Sequence, residues 1–212
     1  KSDLNWITTT PSTTDFLNSI DDVVRTQEEP FGSPSVFMQY FVMKKAAEVG
    51  CPVLLDGQGG DETLLGYARY YPSYLMSLTG IDKIKGWVNS FENSGQSRMQ
   101  ILKSYFYFTN ASLRMKRQLH RSGFMKQSFL TLVDNSLISK LSSTYSNIRR
   151  LQEFELTTSQ LPHLLRYEDK NSMKFSIETR LPFLDYKLVE LSLSLNNNFK
   201  IKDGYSKFIL RK

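Results

Sequence analysis

An α/β fold with a small parallel sheet and a predominantly α-helical remainder is what this sequence predicts, on three observations. A helical pattern ending in glycine runs into a short apolar stretch, "CPVLL" at Cys51–Leu55. A glycine-rich loop, "DGQGGDE", follows at once. Beyond Gly66 the β-forming runs thin out and helical spacing takes over. Helix, short apolar strand, Gly-rich loop and helix is the grammar of a parallel sheet covered by helices. The 212 residues are 40% hydrophobic and 23% charged, enough to bury a domain-sized core. No linker divides them, so residues 1–212 are expected to form one domain.

Each element has its own reason. Leu4–Thr10 is rich in β-formers, stops at Pro11 and reads as a short strand. Ser12 then offers a cap, and Phe16, Leu17, Ile20, Val23 and Val24 recur at helical spacing. Glu28–Ser35, with two prolines and a glycine, is a loop. Ser35 is the expected cap of a second helix marked by Val36, Phe37, Tyr40, Phe41 and Ala47, and Gly50 ends it in the left-handed conformation. CPVLL has the length and branching of a buried strand. Helices are expected near 67–79, 80–92, 97–109, 111–121, 124–133, 136–143 and 147–168, separated by Gly, Ser and Asn breaks. Leu188–Leu195 alternates like a strand, but Leu184, Leu188, Leu191 and Leu195 form a helical stripe, and helix is the reading taken.

Composition narrows the function classes. A single cysteine, Cys51, excludes an internal disulfide and suits a reducing, cytoplasmic setting. No apolar run approaches the ~18 residues of a membrane span, and no secretory pattern opens the chain. The net charge of +6 suits a polyphosphate site as well as nucleic acid. The densest basic cluster, Arg114–Arg121, reads first as a solvated helix face, and a basic helical binding module is the competing reading. The start at Lys1 without methionine and the stop within "YSKFILRK" give the expectation of a piece of a longer chain.

Three stretches carry chemistry. Gly57, Gly59 and Gly60 stand at the carboxyl end of the expected strand, where ligands of open α/β sheets bind. Glycine lets backbone amides approach and hold an anion, and a helix starting near Asp61 would add its positive end. Asp61 and Glu62 would repel a phosphate unless a divalent cation lies between, so the loop suggests a nucleotide or polyphosphate with magnesium; a tight turn whose acids cap a helix is the plainer alternative. The second stretch, Leu164–Leu191, interleaves Arg166, Glu168, Asp169, Lys170, Glu178, Arg180 and Asp185, which suits either a polar wall reading a small zwitterion or a salt-bridged corner. In the third, Lys207 follows a "DG" turn, where a lysine can stabilise charge on a leaving phosphate or be merely solvated.

In this order the stretches resemble the C-terminal synthetase domain of glutamine-hydrolysing asparagine synthetases. "LDGQGGDETLLGY" corresponds to that family's glycine-acid loop, "RYEDKNSMKFSIETRLPFLD" nearly matches its second motif, and "SKFILRK" matches its closing lysine motif. The resemblance implies a truncated ATP-pyrophosphatase (adenine nucleotide alpha hydrolase-like) fold. It also implies adenylation of a carboxylate by ATP with magnesium, followed by attack of ammonia. Carried over by residue, Asp56 and Gly57 lie near the adenylate, with Gly59 and Gly60 in the same nucleotide loop. Asp61 holds magnesium and pyrophosphate, Lys207 steadies pyrophosphate, and Asp169, Glu178 and Arg180 lie toward the substrate. Aspartate or another carboxylate, ATP and glutamine-derived ammonia are the implied small molecules. An N-terminal glutaminase domain in the parent chain and a homodimer are the implied partners; nucleic acid and membrane are not expected. Two residues depart from the family. Gln58 stands where a glutamate, proposed to deprotonate ammonium, is frequent, and Asp56 stands in the serine position. Relatives with such changes amidate sugar acids or close lactam rings. The family's "SGGxDS" phosphate loop is absent from these residues, so the piece alone is expected to be inactive.

Overall fold

The computed structural model describes residues 4–121, 127–130, 132, 136 and 143–212. In chain order its elements are helices α1 (Thr13–Gln27) and α2 (Ser35–Glu48), strand β1 (Val53–Leu55), and helices α3 (Gly60–Thr63), α4 (Tyr70–Ser77), α5 (Gly80–Asn93), α6 (Arg98–Thr109), α7 (Ala111–Arg121) and α8 (Gln127–Leu130). There follow α9 (Ile148–Thr157), α10 (Gln160–Lys174), strand β2 (Glu178–Arg180), a 3₁₀ turn (Pro182–Leu184), α11 (Tyr186–Ser194), α12 (Asn197–Lys200), strands β3 (Ile201–Lys202) and β4 (Tyr205–Ser206), and a 3₁₀ turn (Phe208–Arg211). Of the helices expected at 124–133 and 136–143, Gln127–Leu130 is helical and most of the rest lies outside the described residues. The chain forms two compact units, Lys1–Gln58 with Gln160–Leu184, and Gly59–Ser159 with Asp185–Lys212.

The first unit is built on α1, α2 and α10. Ser12 and Asp15 make a reciprocal capping box that starts α1. Ser35 is not the cap of α2 but its first helical residue; Pro34 is the cap, and Ser33 Oγ, two positions before Ser35, accepts from the Ser35 amide (3.2 Å). Gly50, at φ +72°, closes α2, with the Gly50 amide donating to Ala47 O and the Cys51 amide to Ala46 O, the Schellman pattern. Val23, Val36, Phe37, Tyr40 and Phe41 form the core, with Phe16, Phe31, Tyr167 and Phe175 packed against it. Asn171 on α10 ties the three helices. Its amide donates to Val36 O (3.0 Å) and Gln39 Oε1 (3.1 Å), and its carbonyl accepts from Gln27 Nε2 (2.7 Å).

Strands β1 and β2 pair in parallel, Val53 opposite Glu178 and Leu55 opposite Arg180. The expectation of a buried strand fails here. Leu54 packs with Met43, Ala46 and Ile177, but Val53 and Leu55 point the other way and are 39% and 75% exposed. Alternate residues of a strand face opposite sides, and the buried cluster of Met43, Ala46 and Ile177 lies on the Leu54 side. The strand expected at Leu4–Thr10 is irregular, because no described strand lies alongside to take its backbone groups.

The second unit is helical. Leu65, Tyr70, Tyr71, Tyr74, Leu75, Ile101, Ile148, Leu151 and Ile201 form its core. Ser97 and Gln100 cap α6 reciprocally. The stretch expected as one helix, 147–168, is two. At the end of α9 the Thr158 and Ser159 amides both donate to Phe154 O, and Thr157 Oγ1 donates to Glu153 O (2.8 Å), so three consecutive hydroxyl residues compete with the backbone ladder and end the helix. Leu188–Leu195 is helical as expected, started by Asp185, whose carboxylate accepts from the Lys187 and Leu188 amides. Its Leu191 is exposed and Ser192 buried, so the inner face is rotated from the leucine stripe.

Candidate functional site

In the second unit, Gly59 takes φ +86° and turns the glycine loop into α3. This helix is a single four-residue turn, too short to provide the positive end expected of it. Its rigidity comes from beneath. Gln152 Nε2 donates to Glu62 O (2.9 Å) and Thr63 O (2.6 Å), and Gln152 Oε1 accepts from the buried Lys200 Nζ (2.8 Å). Burial pushes the Lys200 ammonium down to about 8, with Arg149 adding to the effect. Glu62 is buried and accepts from Tyr67 OH (2.9 Å); burial holds its carboxyl above the usual range. The neighbouring Arg69 grips Glu155 with two bonds (2.6 and 3.1 Å), and Tyr70 OH donates to the same carboxylate (2.5 Å).

On this platform Asp61 meets Lys207, Nζ to Oδ1 at 2.8 Å, with both side chains about a third exposed (35% and 32%). Lys207 reaches it from a left-handed backbone, φ +50°, uncommon for a residue with a side chain. Gly66 is the third member. A Cβ built there would overlap Asp61 Oδ1 and Lys207 Cε, so only glycine leaves room for the pair. A cation and a carboxylate held together at partial exposure can receive a polyphosphate and its counter-ion. Among the described residues no cluster of three or more His, Cys, Asp or Glu forms a metal cage. One accessible carboxylate fits magnesium, which protein sites commonly hold through one or two carboxylates plus phosphate oxygens.

In the first unit, the Asp56 amide extends the ladder by donating to Arg180 O (2.9 Å), and the Asp56 carboxylate accepts from the Gly57 amide (2.5 Å). Gly57 is exposed and Gln58 half-buried. Glu178 and Arg180 lie on the same side of β2 and pair with each other at 2.8 Å, both more than half exposed. Asp169 is exposed on α10. Arg166 and Lys170 are committed elsewhere, to Glu29 and Glu28 (2.5 Å each), so for them the salt-bridged corner holds.

Glu168, read from the sequence only as one member of the polar stretch Leu164–Leu191, has a more particular setting. It is 1% exposed, and among the described residues neither carboxylate oxygen completes a hydrogen bond. Asp56, Thr179 and Gln58 face it, and its carboxyl is pushed up to about 7, first by burial and then by the Asp56 charge. The signal was available: Leu161, Leu164, Glu168 and Asn171 recur at helical spacing, which puts Glu168 on an inward face.

The basic cluster gives no free face at its start. Arg114 is buried and donates to the carbonyls of Tyr107 and Phe108. Side chains 118–121 lie outside the described residues. A cleft of about 530 Å³ in the second unit, walled by Tyr74, Phe199, Phe208, Lys85 and Lys202, takes in Phe208, Ile209 and Lys212 of the closing motif but neither Asp61 nor Lys207. Among the described residues no helix is long and apolar enough to cross a membrane.

Comparison with known proteins agrees with these motifs. The asparagine synthase family profile matches residues 3–212. The glutamine-hydrolysing asparagine synthetase 1 of Bacillus subtilis (strain 168) is 27% identical over 212 residues, covering 93% of this chain and 33% of that protein. Putative glutamine-hydrolysing asparagine synthetases of Mycobacterium bovis and Mycobacterium tuberculosis are 26% identical, over 95% of this chain and 32% of theirs. The chain spans about a third of the length of these curated relatives. No solved structure matches.

Proposed function

From a chain that belongs to the asparagine synthase family, with its ATP-pyrophosphatase-like fold, we infer part of an ATP-dependent, amide-forming ligase. The observation that carries the reading is the Asp61–Lys207 pair, made from two distant motifs and fitted together by Gly66. In this reading a substrate carboxylate oxygen attacks the α-phosphorus of ATP, and the bond to pyrophosphate breaks. Lys207 then stabilises the charge that develops on the departing pyrophosphate, and Asp61 would hold the magnesium that accompanies it. Magnesium supplies charge neutralisation there when bound.

Asp56, Gly57, Gly59 and Gly60 supply the loop against the adenylate, and Asp169, Glu178 and Arg180 line the substrate side. Ammonia, released from glutamine by an N-terminal glutaminase domain of the full-length protein, would attack the acyl-adenylate. The products are an amide, AMP and pyrophosphate. Aspartate is the acceptor suggested by the relatives' names, and asparagine the product. Gln58 and Asp56 favour a second reading of the acceptor, a sugar acid or the precursor of a lactam, because the loop lacks the glutamate frequent in asparagine synthetases.

The test is exchange of labelled pyrophosphate into ATP by the full-length protein, with magnesium and a panel of carboxylates. Exchange stimulated by aspartate supports the first acceptor, and stimulation by a uronic or β-amino acid supports the second. Exchange with none of them would overturn the ligase reading.

A further inference from the structure

We propose that Glu168, inward-facing on α10 beside Gln58 and Asp56, is the proton acceptor for the attacking nitrogen in this chain. The proposal rests on the ligase reading above and deepens it.

Ammonium has no lone pair with which to attack an acyl carbon, so a base must take a proton first. Gln58 carries a neutral amide and cannot accept it. Next to Gln58, however, lies a buried carboxyl group whose contacts with Asp56, Gln58 and Thr179 fall short of full hydrogen-bond geometry. Buried polar side-chain groups are nearly always hydrogen-bonded, and each exception needs an explanation. Glu168 leaves both oxygens unbonded among the described residues while being 1% exposed.

Other buried polar groups behave differently. Asn171, one turn along the same helix, bonds through both its amide nitrogen and its carbonyl. In the second unit, Glu155 is held by Arg69 and Tyr70. A structural role would satisfy Glu168 in the same way.

Three groups face it: Asp56 from the end of β1, Gln58 from the loop and Thr179 from β2. Of these only Asp56 is titratable. Burial and that like charge together raise the proton affinity of Glu168 to about 7, where a carboxylate both exists at neutral pH and accepts a proton readily. The amide of Gln58 can donate to the carboxylate and orient it without competing for the proton.

Ammonium gives one proton to Glu168. The freed lone pair forms the C–N bond with the acyl carbon, and the C–O bond to AMP breaks with its electron pair leaving on the phosphate. The second proton lost from nitrogen goes to solvent.

The experiment uses the full-length enzyme carrying Glu168→Gln, which keeps the shape and removes the base. Carboxylate-dependent ATP–pyrophosphate exchange should stay within about fivefold of wild type, because adenylation needs no amine. Amide formation from ammonium should fall ~10²–10⁴-fold, the usual contribution of a general base. Two rescues should follow. Hydroxylamine, neutral at pH 7, should restore product formation, and adding Gln58→Glu should return a carboxylate to the same place.

Equal losses in exchange and amide formation would overturn the proposal, as would ammonium-dependent turnover within a few-fold of wild type. Should Glu168→Gln fail to fold, Glu168→Asp carries the same comparison, and a defect no larger for ammonium than for hydroxylamine overturns it. Absence of exchange in the wild type would instead remove the ligase reading on which the proposal stands.

Discussion

Replacing Gly66 by alanine should separate function from folding. The added methyl group overlaps two atoms, Asp61 Oδ1 and Lys207 Cε, and both are far ends of flexible side chains. They can move aside, so the fold should lose about 1 kcal/mol, the low end of an overpacking cost. The ion pair itself adds little to that, ~0.2–1 kcal/mol, because a third of each side chain is exposed to screening water. A loss of that size lowers the melting point by about 2–4 °C for a domain of this length. Function should suffer far more, since displacing a catalytic group by about an ångström can cost on the order of 10² in rate.

Gly204→Ala provides the contrast. Gly204 has φ +81° in the turn between β3 and β4, and its added methyl would meet the backbone carbonyl of Asn89, which cannot swing away. Strain of ~1–2 kcal/mol for the left-handed residue adds to that overlap, so the melting point should drop further while exchange below it persists. The assays are thermal unfolding and carboxylate-dependent ATP–pyrophosphate exchange, both on the full-length protein. Exchange by Gly66→Ala within threefold of wild type would refute the reasoning, and so would a melting point as low as that of Gly204→Ala.

The other predictions concern single side chains. Lys207→Ala should lower turnover ~10²–10³-fold with little change in acceptor KM, as measured by steady-state kinetics, because the contact matures in the transition state. Glu155→Ala removes the partner of Arg69 and Tyr70 and should destabilise by about 3 kcal/mol, the low end for a broken buried pair because Arg69 is partly exposed; denaturant unfolding measures it. Glu168→Gln should stabilise the fold at pH 8 by on the order of 1–3 kcal/mol. The raised folded value of Glu168, beside Asp56, Gln58 and Thr179, means the folded state keeps a proton that the unfolded chain releases from about 4.5 upward. Wild-type stability therefore falls between about 4.5 and 7 relative to the variant, and the gain should vanish below that window in a pH series of melts.

Much of what local chemistry dictates was legible in the sequence, though the cap of α2 and the break at Thr157–Ser159 were not. Capping at Ser12, the glycine stop at Gly50 and the helical choice at Leu188–Leu195 each follow from a few neighbouring residues. Elements whose state depends on distant partners were misread. Leu4–Thr10 has strand-forming residues but no described strand beside it, and Val53 and Leu55 read as buried because an apolar strand says nothing about how many of its faces are covered. The site divides the same way. The approach of Lys207 to Asp61 was legible only through the family resemblance, since no local pattern links residues so far apart. Glu168 stood in the sequence as one of the interleaved acids and bases of Leu164–Leu191, and only the periodicity of its helix marks it as inward-facing.

The pairing of β1 with β2 has a consequence for synthesis on the ribosome. Val53 must wait for Glu178, which leaves the ribosome well over a hundred residues later. At ~5–20 residues per second that delay is roughly 6–25 s. Through it, the nascent chain carries a completed α1 and α2 whose apolar faces await α10. The long stretch Gly59–Ser159, meanwhile, already contains most of the second core and can collapse first. Nascent chains stalled before residue 178 should therefore be cut by protease within 13–55 and spared within 70–109, and the cleavage should cease once β2 has emerged.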